Sequence, residues 1–194
     1  MPAITLESLM SLEAYAKARP EYRQRVLAHK KARTLHLGEH LTLLFEDELT
    51  IRYQIQEMLR IERTFEEEGI RDELDAYNPL VPDGSNLKAT MLIEYENVDE
   101  RKAALSKLKG IERYVFIEVE GFPRVVAIAD EDLERSTDEK TAAVHFLRFE
   151  LEPAAVVALK RGARLGIGVD HPAYRATIPD VPKETRDSLV ADLA

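Results

Sequence analysis

Residues 78–96 read Asn78-Pro79-Leu80-Val81-Pro82-Asp83-Gly84-Ser85-Asn86-Leu87-Lys88-Ala89-Thr90-Met91-Leu92-Ile93-Glu94-Tyr95-Glu96. The first eight crowd two prolines, a glycine, Asp and Ser together, which marks a loop and not a continuing helix. From Leu87 onward the pattern alternates. Leu87, Ala89, Met91, Ile93 and Tyr95 fall on one face, with Lys88, Thr90, Glu94 and Glu96 largely on the other, the period of two of a half-buried strand. The chain before this loop has mostly helical spacing, and the chain after it mixes strands and helices. Hairpin signals imply antiparallel pairing, so the fold class read from the sequence is α+β. One domain over 1–194 is expected, with possible sub-halves at 1–80 and 86–194 joined by the loop at 78–85.

Working outward from the loop, the N-terminal side predicts a helix over Leu6–Ala18. Pro20 then resets the chain, in the first turn of a second helix over Glu21–Arg33. Thr34–Leu37 and Leu41–Glu46 read as a hairpin turning at Gly38. Asp47 is the expected N-cap of a long helix over Glu48–Glu68 closed by Gly69, followed by a short helix at Ile70–Tyr77. On the C-terminal side, a helix over Asp99–Lys109 ends at Gly110. Tyr114–Val119 and Val125–Ala129 form a hairpin around Gly121-Phe122-Pro123. Ala143–Leu151 and Arg164–Val169 are strands separated by a helix that starts at Pro153, and a last helix covers Pro182–Leu193.

Composition narrows the function. The 194 residues carry 27 Lys+Arg against 36 Asp+Glu, a formal charge of −9, which argues against broad binding to nucleic acid, where phosphates must be neutralised. Zero cysteines exclude disulfides, thiolate nucleophiles and Cys-ligated zinc or iron–sulfur clusters. No apolar run approaches the ~18 residues of a membrane span, and no signal peptide is evident, so a cytoplasmic protein is expected.

The long helix carries the main site signal. At 100° per residue Ile51, Ile55, Met58, Leu59, Ile61 and Phe65 share one face, with Glu62 near its centre and Gln54 at its margin. A carboxylate aimed into an apolar interior needs a partner. The preceding helix offers one, because Tyr22, Val26, His29 and Arg33 share a stripe. Two readings stand side by side. In one, His29 or Arg33 meets Glu62 in an ion pair that fixes the crossing of the two helices. In the other, His29, Arg33, Gln54 and Glu62 line a polar pocket for an anion, a polar ligand or a metal. Glu57, on the opposite side, is expected to form an exposed pair with Arg60.

Other motifs carry less. His29, His36 and His40 cluster in sequence without zinc-site spacing, and no Glu-x-x-His occurs, so no tightly held metal is expected. Gly166-Ile167-Gly168 lacks the rest of a phosphate loop and reads as a close backbone approach in a strand. No Gly-x-Ser-x-Gly elbow is present. His145 shares the side of its strand with Leu147 and Phe149 and reads as a satisfied core histidine.

His29-Lys30-x-x-Arg33, Gly38, Phe45-Glu46, the run Tyr53-Gln54-Ile55-Gln56-Glu57-Met58-Leu59-Arg60-x-Glu62, Tyr77-Asn78-Pro79, and Thr90 with Glu94 together resemble a bacterial family catalogued only as domain of unknown function 3501. The resemblance covers most of the chain, with its specific words between His29 and Glu94. It brings no established activity. Members are similar in being encoded beside rubrerythrin-like and iron–sulfur proteins, which implies a redox-protein partner and a link to oxidant or metal handling. The leading expectation is an accessory or ligand-binding protein with its pocket at His29, Arg33, Gln54 and Glu62. The rivals are an acid/base enzyme using Glu62 with His29, and a structural interaction protein. No cofactor is specified. A homodimer is expected, its apolar centre supplied by Val115, Ile117 and Val119 with the Val125–Ala129 run.

Overall fold

The structure is a computed structural model that describes residues 3–132, 135–137 and 139–194. Among the described residues six α-helices and nine strands follow one another as α1 (Leu12–Lys31), β1 (Thr34–Leu37), β2 (Leu41–Glu46), α2 (Glu48–Glu62), α3 (Glu67–Tyr77), β3 (Asn86–Ile93), α4 (Val98–Lys107), β4 (Val115–Val119), β5 (Val125–Val126), β6 (Ile128–Ala129), β7 (Val144–Glu150), α5 (Pro153–Lys160), β8 (Leu165–His171), β9 (Tyr174–Ile178) and α6 (Lys183–Val190). Short 3₁₀ turns at Leu6–Ser8, Asn78–Leu80 and Ile111–Tyr114 complete the order. The fold is α+β, with a mainly helical first part that carries the β1–β2 hairpin, followed by antiparallel strands interleaved with helices.

The first sheet runs β1-β2-β3-β7-β6 and the second β5-β4-β8-β9, every pairing antiparallel. The first sheet draws strands from both sides of the 78–85 segment. Alternation in β3 sends Leu87, Ala89, Met91 and Ile93 into an apolar cluster shared with Ile117, Ile167 and Val169 of the second sheet and with Leu105, Leu159 and Leu189 of three helices. A smaller cluster joins Ile51, Ile55 and Leu59 of α2 to Leu74 of α3, Ile4 and Val81. Among the described residues, no helix is long and apolar enough to cross a membrane.

Several boundaries differ from the sequence reading. One helix, α1, takes the place of two, and Pro20 lies inside it. Proline there removes a single i→i−4 bond, and the helix is held from both sides of the break. Tyr15 is buried against α2, and the Tyr22 and Tyr53 rings lie 6.1 Å apart. Helix α2 stops at Glu62, seven residues before Gly69. Arg63 takes the left-handed conformation (φ 55°), and the N–H groups of Arg63 and Thr64 turn back onto the Leu59 carbonyl, the closure glycine usually makes. Gly69 falls inside α3.

The expected strand Val125–Ala129 is two strands, β5 pairing with β4 and β6 with β7, so the chain changes sheets at Ala127. Strand β9 has no counterpart in the sequence reading. Val115, Ile117 and Val119 are at most 2 % exposed, so they cannot form the centre of a dimer face. The second sheet needs its glycine. A Cβ on Gly168 would stand 2.5 Å from Cζ of Phe116 and 2.9 Å from the Thr177 hydroxyl, which is the close approach read from the sequence.

Candidate functional site

Glu62 does not reach the interior. It is exposed at the C-terminal end of α2, while Gln54 is half-buried, so the expected pocket of His29, Arg33, Gln54 and Glu62 is not assembled. The helical wheel fails because the helix ends before its apolar arc is complete. Ile61 and Phe65, on the same arc, are 60 % and 70 % exposed. Glu57 is also unlike its expectation. It meets Arg60 at 3.3 Å, but is itself largely covered. It takes Arg19 through two bonds of 2.7 and 2.8 Å and the Tyr15 hydroxyl at 2.7 Å, tying α1 to α2. Those donors, Arg19 first, hold its carboxyl down at about 2 against the opposing push of burial.

His29 and Arg33 do come together, around other carboxylates. Arg33 is 1 % exposed, and every arm of its guanidinium is used. Nε donates to the Phe45 carbonyl (2.9 Å), Nη1 to the carbonyl and hydroxyl of Ser188 (both 3.1 Å), and Nη2 to the Glu46 carbonyl (3.0 Å) and to Asp192. Asp47 lies 3.6 Å from Arg33 and 2.5 Å from Nε2 of His29, while its other oxygen caps α2 by accepting the Thr50 N–H. Burial pushes the Asp47 carboxyl up, but Arg33, the Thr50 N–H and His29 outweigh it and hold it low. Such a buried, saturated ion network fixes how elements pack.

Of the other histidines, His36 Nδ1 lies 3.0 Å from the Thr42 hydroxyl and His40 stacks on Tyr95 at 3.8 Å. His145 is the informative one. It is fully buried on β7. Its Nδ1 is 2.6 Å from Oδ2 of Asp130, the residue after β6, and its Nε2 is 2.8 Å from the Thr141 hydroxyl and 3.1 Å from the Ala142 carbonyl. Glu112, from the 3₁₀ turn before β4, brings Oε2 to 3.9 Å from the same Nε2. Glu112 is 3 % exposed, and among the described residues its hydrogen bonds come from the Ser136 hydroxyl (3.2 Å) and, at 3.4 Å, the Thr141 hydroxyl. A buried carboxylate held so loosely is costly unless a cation meets it.

One atom each from Glu112, Asp130 and His145 lies within 4.8 Å of the others, a set of two oxygens and one nitrogen suited to a divalent first-row cation. Beside Glu112 and Asp130 opens a cleft of about 330 Å³, walled also by Arg113, Asp132, Arg135 and Ser136. Asp130 is one of two non-glycine residues with positive φ among those described, at 52°. Its N–H binds the Phe146 carbonyl and its Oδ1 the Phe146 N–H, which aims Oδ2 at His145. Sequence reasoning found His145 as a buried histidine and missed its partners, which come from a turn and a strand end with no shared spacing.

The residues 3–193 match the family model described as "Protein of unknown function (DUF3501)". A solved structure of a protein of unknown function from Burkholderia pseudomallei is 58 % identical, with 100 % of both chains covered and a TM-score of 0.95. No curated protein matches the chain. The match to the family model spans nearly the whole chain, including the words between His29 and Glu94, and the chain belongs to the DUF3501 family.

Proposed function

We propose that this protein is a ligand-binding accessory protein whose ligand is a divalent cation, held by Glu112 and His145 with Asp130 behind the imidazole on Nδ1. The observation that carries the reading is the 3.9 Å between Glu112 Oε2 and the buried His145 Nε2, with Glu112 itself lining an open cleft. Two bonds of about 2.1 Å to one ion at a near-tetrahedral angle set their ligand atoms roughly 3.4 Å apart, so only a small closure is needed. Asp130 on Nδ1 supplies the carboxylate–histidine support that metal-bound imidazoles use. The Thr141 and Ser136 hydroxyls, already bonded to Glu112, would be available as further oxygen donors. The reading takes the protein as cytoplasmic, with a redox protein as partner in keeping with a role in metal handling. It also takes the protein as a homodimer, whose apolar patch is supported by Val126 and Ile128, 51 % and 41 % exposed.

The test is equilibrium dialysis of the purified full chain against Mn²⁺, Zn²⁺ and, without oxygen, Fe²⁺, followed by elemental analysis. One ion per chain is expected, lost in the near-isosteric Glu112→Gln and in His145→Ala. No binding by the wild type, or undiminished binding by both variants, ends the reading.

A second reading has its own observation. Asp130 on Nδ1 and a hydroxyl on Nε2 is the arrangement that activates a nucleophile, and Thr141 passes the link to Ser136 in the cleft wall at 3.0 Å. It relocates the acid/base alternative from Glu62 and His29 to this site. Labelling of Ser136 by an acyl or phosphonyl probe without added metal would favour it.

A further inference from the structure

A second hollow lies beside the first, and Glu131 and Asp132 line both. Glu46 on β2 and Lys88 on β3 are register partners, so their side chains leave the first sheet on the same face. Leu80, Ala89, Phe146 and Leu147 wall the space around them, an apolar hollow of about 80 Å³. This is room for roughly three waters' worth of liquid. Arg148 also reaches it but is held by Glu131 and Glu150. Lys88 and Glu46 are not paired in this way. Among the described residues neither makes an ion pair within 4 Å. The Lys88 ammonium donates to the Pro79 carbonyl at 2.6 Å, and the Glu46 carboxylate, on a residue 7 % exposed, accepts the Thr50 and Thr90 hydroxyls at 2.5 and 2.6 Å. An amine and a carboxylate held in place by neutral partners, facing a small apolar space, are equipped for chemistry that an ion-paired lysine is denied.

We propose that Lys88 is a carbonyl-reactive amine, which takes a small aldehyde or ketone into this hollow and forms an imine with it. The neutral Nζ adds to the carbonyl carbon, and one of its protons passes to the oxygen to give a carbinolamine. The hydroxyl then leaves with the second proton as water, and the C=N bond remains. No oxidant or reductant is consumed. Glu46, the register partner of Lys88 and a carboxylate lining the hollow, is assigned to carry the proton between nitrogen and oxygen. Desolvation is what makes a lysine nucleophilic near neutrality, and here burial, with the neighbouring Arg148 charge, moves the Lys88 ammonium below its ordinary value against the pull of Asp83, Glu131 and Glu150. The site is separate from the proposed cation site and does not depend on it.

The experiment treats the full chain with acetaldehyde and, separately, pyruvate in the presence of cyanoborohydride, and maps the reduced adducts by peptide mass. The expected result is a first adduct on Lys88, absent in Lys88→Arg. In Glu46→Gln it should form roughly 100-fold more slowly, the low end of the usual acid–base contribution, with the circular dichroism of both variants unchanged. If Glu46→Gln proves unfolded, the rate against pH in the wild type serves instead and should bend below the ordinary lysine range. Adducts that appear first on exposed lysines such as Lys17 and Lys183, 77 % and 78 % exposed, or one that persists at the same rate in Lys88→Arg, would overturn the proposal.

Discussion

His29 meets Asp47 at 2.5 Å, and Asp47 is the residue that caps the N-terminus of α2. The stripe of α1 that carries His29 and Arg33 therefore binds the start of the next helix, whereas Glu62 stands at its far end. A 15-residue helix is about 22 Å long, and that length separates the expected partner from the real one. Helix periodicity reports which side of a helix a residue occupies and is silent about which end meets a neighbour.

Removing Arg33 should be severe, and removing Glu62 should not. Arg33→Met leaves Asp192 and Asp47 without their shared cation and is expected to cost about 3–5 kcal/mol. Glu62→Ala, at an exposed helix end, should stay within about 0.5 kcal/mol. Urea unfolding midpoints of the two variants, compared at equal slope, decide it. A Glu62→Ala penalty as large as that of Arg33→Met would restore the original pairing.

Asp192 should make stability depend on pH in a direction opposite to most carboxylates. Burial pushes its carboxyl up to about 6, outweighing the Arg33 guanidinium. The folded state therefore binds this proton more tightly than the unfolded chain, whose value is 3.8. The associated stability is fully present below 3.8 and is lost as pH rises through about 6, a change of order 3 kcal/mol. Asp192→Asn cannot titrate. The stability of the wild type relative to Asp192→Asn should fall across that window and be level above it. A difference that rises across the window would contradict the assignment.

Gly168→Ala tests the close approach in the second sheet. The added methyl must displace the Phe116 ring, which Arg124 covers at 3.6 Å. Overpacking of this kind is expected to destabilise by about 1–3 kcal/mol, read as a lowered denaturant midpoint, with a loss of the ring's fixed environment visible by NMR. A Gly168→Ala variant as stable as the parent would mean that the strands β8 and β9 yield freely.

For assembly, light scattering of the purified chain at micromolar concentration should give twice the 22.1 kDa chain mass, and Val126→Asp with Ile128→Asp should return it to one chain. A single-chain mass that does not change on concentrating sinks the dimer. Exposed apolar side chains on the short strands β5 and β6 support the expectation. The face of Val115, Ile117 and Val119 is spent inside the core.

What the sequence made legible was whatever a local rule encodes. The hairpin β1–β2, the Asp47 cap, the alternation of β3, the helix at Pro153 and the glycines of β8 each follow from spacing or from one residue's conformational limits. The misses are non-local. Pro20 does not break α1 because tertiary packing on α2 holds the helix across the gap. Arg63 ends α2 in a conformation more often left to glycine. Glu112, Asp130 and His145 are 18 and 15 positions apart in sequence and meet only because the chain passes from one sheet to the other at Ala127.

The bond between Arg33 and Asp192 spans 159 positions. During synthesis at roughly 5–20 residues per second, Arg33 is made about 10–30 s before that carboxylate exists. Through that interval Asp47 is the nearest anion available to it, and Ser188 has not been built either. The junction of α1 with the first sheet therefore has to wait in water, its guanidinium hydrated, until α6 arrives to close over it. Helix α6 seals α1, so the order of translation imposes a delay that refolding from a finished chain in a test tube does not share.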